Sequence, residues 1–254
     1  VDSRNSAGYF GDRDVRDDAL SGQVAATLKW TDSFSTTAQF SRGFRVPTLS
    51  DRFFRGPTGR GFVTGNPALR PERSKQADLL VRWTLGQVVL SASAYRYDIT
   101  ELIERFRQGD NFFFRNRGES RIEGAELEAF AALPRSLALQ LAVSTSRGEV
   151  RGSGEPLGDL APPNLQATLR WTGKRNTLFS RAVIMDRKKR PGPTERVAGG
   201  YAALDVGFTR KLPRDLELRL LLRNAGDRRY VESYDEKGAL APGRSLTLGL
   251  LKRL

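Results

Sequence analysis

The 254-residue chain carries 42 Lys and Arg against 29 Asp and Glu, a formal net charge of +13, with neither cysteine nor histidine. Those absences exclude disulfide and zinc-thiolate frameworks, Ser-His-Asp and Cys-His hydrolases, and imidazole metal sites. No run of eighteen apolar residues occurs, so a helical membrane span is excluded; a mean hydropathy of −0.46 suits a soluble protein or a transmembrane β-barrel, where only alternate strand residues face lipid.

Apolar residues recur with a period of two along most of the chain. Val24, Ala26, Leu28 and Trp30 alternate with Gln23, Ala25, Thr27 and Lys29, and a Thr31-Asp32-Ser33 turn leads to a second strand through Phe34 and Phe40. Ala77, Leu79, Val81 and Trp83 form the apolar side of the next strand, and Leu85-Gly86 turns tightly into a long strand from Gln87 to Ile103. Residues 121–133 are rich in Ala, Glu and Leu, which favours helix by propensity. Their strict alternation (Ala125, Leu127 and Ala129 against Gly124, Glu126 and Glu128) predicts a strand instead. Further strands follow through Leu139, Leu169, Leu204, Leu218 and Leu248.

Short turns fall near 31–33, 85–86, 132–136, 172–175 and 213–215, and long polar connections near 1–21, 46–74, 104–120, 148–160, 187–200 and 225–243. Short and long alternate throughout, as in outer-membrane barrels with short periplasmic turns and long extracellular loops. The reading is therefore all-β: an antiparallel up-and-down transmembrane β-barrel, present as a partial barrel of about 11–12 strands out of a larger one. Residues 1–10 show no signal pattern, and N-terminal strands are expected to lie outside the chain.

Two motifs, Arg42-Gly43-Phe44-Arg45-Val46-Pro47-Thr48-Leu49 and Gly65-Asn66-Pro67-Ala68-Leu69-Arg70-Pro71-Glu72-Arg73-Ser74, are followed by Tyr95-Arg96-Tyr97-Asp98 and Gly124-Ala125-Glu126-Leu127-Glu128. Near the end come Arg223-Asn224-Ala225-Gly226-Asp227-Arg228-Arg229-Tyr230 and Pro242-Gly243-Arg244. In this order and spacing the set closely resembles the barrels of TonB-dependent outer-membrane receptors. Arg45, Pro47, Asn66, Pro67, Leu69, Pro71, Glu72, Asn224, Asp227, Tyr230, Pro242, Gly243 and Arg244 carry the match.

The resemblance implies that residues 1–254 are the C-terminal portion of a barrel of about twenty-two strands, in the outer membrane of a Gram-negative bacterium. It also implies that a plug domain and a TonB-contacting segment lie outside this chain, and that a TonB-type energy-coupling complex acts through that plug. The expected function is energy-coupled nutrient uptake without enzymatic activity or cofactor, first of all of a ferric siderophore or other anionic ligand. A cobalamin or saccharide receptor of the same class is the alternative. The pairing of residues 44–47 with 66–69 is also similar to haem receptors, but the histidine those carry in between is absent. The Leu-Lys-Arg-Leu ending departs from the terminal aromatic of outer-membrane barrels.

Arg52, Arg55 and Arg60 in one long connection, with Arg187, Lys188, Lys189 and Arg190 in another, are the candidate ligand-binding residues. Such cations would attract an anionic iron chelate or hold lipopolysaccharide phosphates beside the outer-membrane lipid. The competing class is a soluble, basic all-β nucleic-acid binder. It would interleave aromatics with cations on one face, whereas Trp30, Trp83 and Trp171 end apolar faces next to turns, so no nucleic-acid partner is expected. Asp78, Glu126, Glu128 and Asp205 are expected to pair with arginines across strands, not to form a hydrolytic carboxylate pair.

Overall fold

A computed structural model describes residues 2–5, 8–59, 61–236 and 238–252. A small hairpin comes first, β1 (Asp2–Asn5) with β2 (Arg13–Arg16). The main wall consists of β3 (Gly22–Lys29), β4 (Phe34–Arg45), β7 (Glu72–Leu85), β8 (Val88–Gln108), β9 (Asn111–Leu133), β10 (Leu137–Val150), β11 (Asn164–Thr172), β12 (Asn176–Met185), β13 (Tyr201–Lys211), β14 (Leu216–Arg223) and β15 (Ser245–Lys252). These eleven strands pair antiparallel in chain order, as the sequence leads one to expect. Between β4 and β7 sit a one-turn helix α1 (Leu49–Phe53) and the hairpin β5 (Arg55–Thr58) with β6 (Gly61–Thr64), whose β6 adds in parallel to β9. Residues 121–133 are strand throughout, since cross-strand pairing on both sides outweighs their helical propensity.

The cross-strand registers fix which residues share a face. Val24 opposes Phe40, Phe40 opposes Ala77, and Leu79 opposes Ala94. The same row logic runs through Leu139 against Leu169, Ala182 against Leu204, and Leu218 against Leu250. All the expected lipid-facing residues thus lie on one side, where Val24, Leu79, Leu169 and Leu204 remain between 42 % and 68 % exposed. Trp83 opposes Phe34 and Leu90, and Trp171 opposes Leu137 and Leu178, all on this face beside short turns, where an aromatic girdle belongs. The other face carries Gln39, Asp78, Glu126, Gln140 and Asp205. There Tyr95 lies directly opposite Gly124, and a Cβ on Gly124 would overlap the tyrosine ring.

In an unbroken meander, alternate connections lie at opposite rims, so the short turns share one and the long connections the other. One expected loop is not a loop. Residues 104–120 extend β8 to 21 residues and β9 to 23, leaving only Gly109 and Asp110 as the turn. Phe106 facing Phe113 and Glu104 facing Arg115 sustain the ladder where a polar sequence suggests its end. Phe112 on this extension and Ile103 at its root, with Val63, Leu69, Leu157 and Ala198, are the buried apolar residues among those described. The packed core therefore lies at the long-connection end, not in the strands flanked by lipid.

The β8–β9 pairing skips Glu101 and Gly118, both at positive φ, and beyond that break the extension reaches the far connections, Arg105 coming within 3.8 Å of Asp235. Arg107 reaches Glu236 at 2.6 Å, although β8 and β14 are six strand steps apart in the sheet, about 29 Å if it were flat. The long connections thus meet across the polar side of a curved, open wall. Leu141→Arg, at mid-height on the apolar face, should cost about 2–4 kcal/mol of folding stability in lipid vesicles, whereas Gln140→Arg should be nearly neutral. Equal tolerance of the two in vesicle refolding titrations would overturn the assignment of faces.

Candidate ligand-binding mouth

The connection from 46 to 71 is tied down by its own sequence. Thr48 caps α1 by accepting the Asp51 amide at 3.0 Å, and the Asp51 carboxylate accepts the Thr48 amide at 2.9 Å, a reciprocal capping box. Arg45 engages Glu72 with two donors and reaches Asp51 at 3.2 Å, while Glu72 accepts the Ile103 amide at 2.6 Å. Pro47 is buried at the turn out of β4. Asn66 accepts the Ala68 amide and donates to the Phe114 carbonyl, and the Leu69 amide closes a turn onto Asn66 with Pro67 inside it. Leu69 is buried, and Pro71 directly precedes β7. Gly65 lies so close to the Arg52 backbone that a Cβ would approach it within 2.6 Å.

The second motif closes the turn after β14. Asn224 sits in the left-handed region, with φ 47°, and is 3 % exposed. Its amide donates to Asp205, its side-chain nitrogen donates to the Arg228 and Pro242 carbonyls, and its side-chain oxygen accepts the Arg228 amide. Asp227 accepts the Arg244 amide at 2.8 Å beside Gly243, and Tyr230 stacks on Tyr201 at 3.9 Å. The residues that carry the family resemblance are thus joined into two local networks.

The expected basic cluster is not assembled. Arg52 is fully buried, bidentate to Asp17 at 2.7 and 2.9 Å and bonded to the Leu69 carbonyl, so its guanidinium is taken up by the fold. Lys188 is also buried, paired with Glu195 at 3.0 Å and bonded to the Leu160 carbonyl. Arg190 is held by Glu149 and the Gly154 carbonyl. Arg55 is exposed, its guanidinium 4.2 Å above the Tyr9 ring, and Arg60 lies outside the described residues. Arg187 and Lys189 are exposed and line a small cavity of 260 Å³ with Arg147. A basic connection can fold its charges inward where a carboxylate waits: Glu195 lies in the same 187–200 connection as Lys188, whereas Asp17 and Glu149 come from other parts of the chain and sequence spacing holds no trace of them.

The long connections enclose instead a cleft of 760 Å³. Its wall includes Arg45 and Arg105 against six carboxylates: Asp51, Glu104, Asp159, Glu195, Glu232 and Asp235. Most of these are neutralised in place: Glu104 by Arg115 and Arg117, Asp235 by Arg105 at 3.8 Å, Glu195 by Lys188. Asp159 and Glu232 have no cation partner among the described residues. Tyr234 also faces the cleft, and burial, with Tyr201 and Glu195 nearby, raises its phenol above the ordinary value, so it stays a neutral O–H donor. Sequence reasoning missed Glu104, Arg105, Tyr234 and Asp235, which lie in polar stretches with no apolar alternation to mark them.

Asp17→Ala should leave the Arg52 guanidinium buried without its carboxylate, a loss of about 3–5 kcal/mol confined to the 46–71 connection. Amide exchange at Leu69 and proteolysis within that connection should accelerate while the wall strands keep their protection; unchanged exchange at Leu69 would refute the role assigned to the pair.

Comparisons with known proteins converge on one family. A family model described as TonB dependent receptor-like, beta-barrel, matches residues 1–225. The chain is 27 % identical over 206 residues to the vitamin B12 transporter BtuB of Vibrio vulnificus, covering 79 % of this chain and 32 % of that protein. It is 27 % identical over 172 residues to the heme/hemopexin utilization protein C of Haemophilus influenzae, covering 58 % and 24 %. The chain thus spans about a third or less of these relatives. Among solved structures, the copper transporter OprC superposes with a TM-score of 0.80 at 20 % identity, over 93 % of this chain and 39 % of that one. A ferric enterobactin receptor (PfeA) mutant from Pseudomonas aeruginosa gives 0.73 at 18 %, over 94 % and 40 %. With the alternating wall, the long-connection rim and the family model in agreement, the chain belongs to the TonB-dependent receptor β-barrel family of the Gram-negative outer membrane.

Proposed function

We propose that the intact receptor takes up a ferric siderophore by energy coupling to a TonB-type complex, with this chain forming part of the barrel wall and of the ligand mouth. Further wall strands, a plug and its TonB-contacting segment belong to the same proposal. The observation that carries it is the 760 Å³ cleft enclosed by the long connections over the polar face, a volume suited to a small chelate. A siderophore completes the coordination of iron itself, so a mouth without histidine needs only shape, hydrogen bonds and charge. Histidine is one of the residues that ligate haem iron axially, and this part of the protein holds none, which weighs against haem as the ligand of these connections. PfeA is a ferric enterobactin receptor, and PirA of Acinetobacter baumannii is a siderophore receptor of the same fold. A cobalamin ligand, as for BtuB, is the second reading, since it too needs no metal ligand from this chain.

The charge distribution changes how an anionic chelate is handled. Exposed Arg55, Arg187 and Lys189 stand outside the cleft, where they raise the local concentration of an anion instead of contacting it. Inside, Tyr234 donates a hydrogen bond, and Asp159 and Glu232 oppose any negative charge brought close. Asp159→Asn with Glu232→Gln in the full-length receptor should therefore tighten binding of an anionic ferric siderophore by about 1 kcal/mol at low salt, less at 0.15 M. Tyr234→Ala should weaken it. Equilibrium binding across a panel of ferric siderophores, cobalamin and haem checks this. A wild-type receptor that binds only cobalamin or haem would overturn the siderophore reading, and a Tyr234→Ala variant of unaltered affinity would remove the cleft from the site.

A further inference from the structure

Above the apolar band, the outer face of the wall carries a patterned set of charges. Along one cross-strand row Asp98 opposes Arg121, and Arg121 opposes Glu149; along the next, Arg96 opposes Glu123, and Glu123 opposes Arg147. Signs alternate along both rows and between them, and ion pairs form: Arg121–Asp98 at 2.8 Å, Arg96–Asp98 at 3.1 Å, Arg147–Glu149 at 2.8 Å. The pattern fails at one place. Arg42 of β4 lies directly opposite Lys75 of β7, a like-charge pairing that destabilises a sheet. Asp98, on the far side of Lys75, is already held by two arginines, and neither Arg42 nor Lys75 has a carboxylate partner among the described residues. Immediately toward the apolar band stand Phe40, 65 % exposed, Val24, 68 %, and Leu79, 51 %. A groove of 720 Å³ runs between the cations and this apolar surface.

We propose that Arg42 and Lys75, assisted by Arg96, bind the phosphate of an anionic lipid whose acyl chains lie on Val24, Phe40 and Leu79. An anion set between the two cations completes the alternation that the protein leaves unfinished. The apolar wall below selects a phosphate attached to hydrocarbon over a free one. This site is on the outside of the wall, distinct from the cleft and from the basic connections the sequence points to, and it does not depend on which ligand is imported.

Arg42→Glu supplies the absent negative charge from the protein itself, so that the row through Lys75, Asp98, Arg121 and Glu149 begins on a carboxylate and alternates without a break. The full-length receptor would be reconstituted in phosphatidylcholine nanodiscs containing a minor fraction of lipid A, and in matched discs without it, with retained lipid measured by mass spectrometry after detergent extraction. Wild type should retain lipid A over phosphatidylcholine. Arg42→Glu and the double variant Arg42→Gln, Lys75→Gln should each retain about tenfold less, while Arg42→Glu keeps or raises the Tm in lipid-free detergent. Equal retention by wild type and both variants would overturn the proposal. So would complete displacement of lipid A by millimolar inorganic phosphate, which would make the site one for a free anion.

Discussion

Hydrocarbon offers no hydrogen-bond partner to a peptide group, and the rest of this structure depends on that. Every backbone N–H and C=O at membrane depth must be met by a neighbouring strand, so the wall is a continuous antiparallel ladder from β3 to β15. Because side chains alternate strictly, keeping that ladder in one register across eleven strands also sorts the chemistry. Val24, Leu139 and Leu218 fall on one side and Asp78, Glu126 and Asp205 on the other. A slip of one residue anywhere would carry carboxylates into lipid.

That constraint explains what is legible in the sequence. The period-two pattern and the alternation of short turns with long connections are imposed by the bilayer, so they appear directly in residue order, even at residues 121–133 where propensity favours helix. Beyond the membrane the constraint lapses. The extension of β8 and β9 reads as a loop because Glu104, Arg107, Gln108 and Asp110 look like loop residues; water tolerates either state, and Phe106 against Phe113 decides between them. The partner of Arg52 is hidden for a related reason. Asp17 is 35 positions from Arg52 and joined to it only by the folded path of two connections.

Charge at the mouth therefore serves two purposes that composition cannot separate. Of the seven cations singled out from sequence, Arg52, Lys188 and Arg190 are consumed in holding connections to each other, as are Arg45 and Arg105 beside them. A net charge of +13 coexists with a cleft whose unpaired groups, among the described residues, are carboxylates. Buried pairs of this kind add little net stability compared with apolar packing but are costly to break singly, which suits segments that must keep one arrangement while facing water.

The β8–β9 extension gives the mouth a mechanical character that a loose loop would lack. It is a propped ribbon: its root is clamped by β7 and β10 within the wall, β6 pairs alongside residues 111–113 next to the tip at Gly109 and Asp110, and a guy-line from Arg107 to Glu236 stays it against the far connection. A two-residue tip on a paired ribbon has little slack, so a load applied there arrives at the root as torque on the same hydrogen-bonded rows that line the polar face.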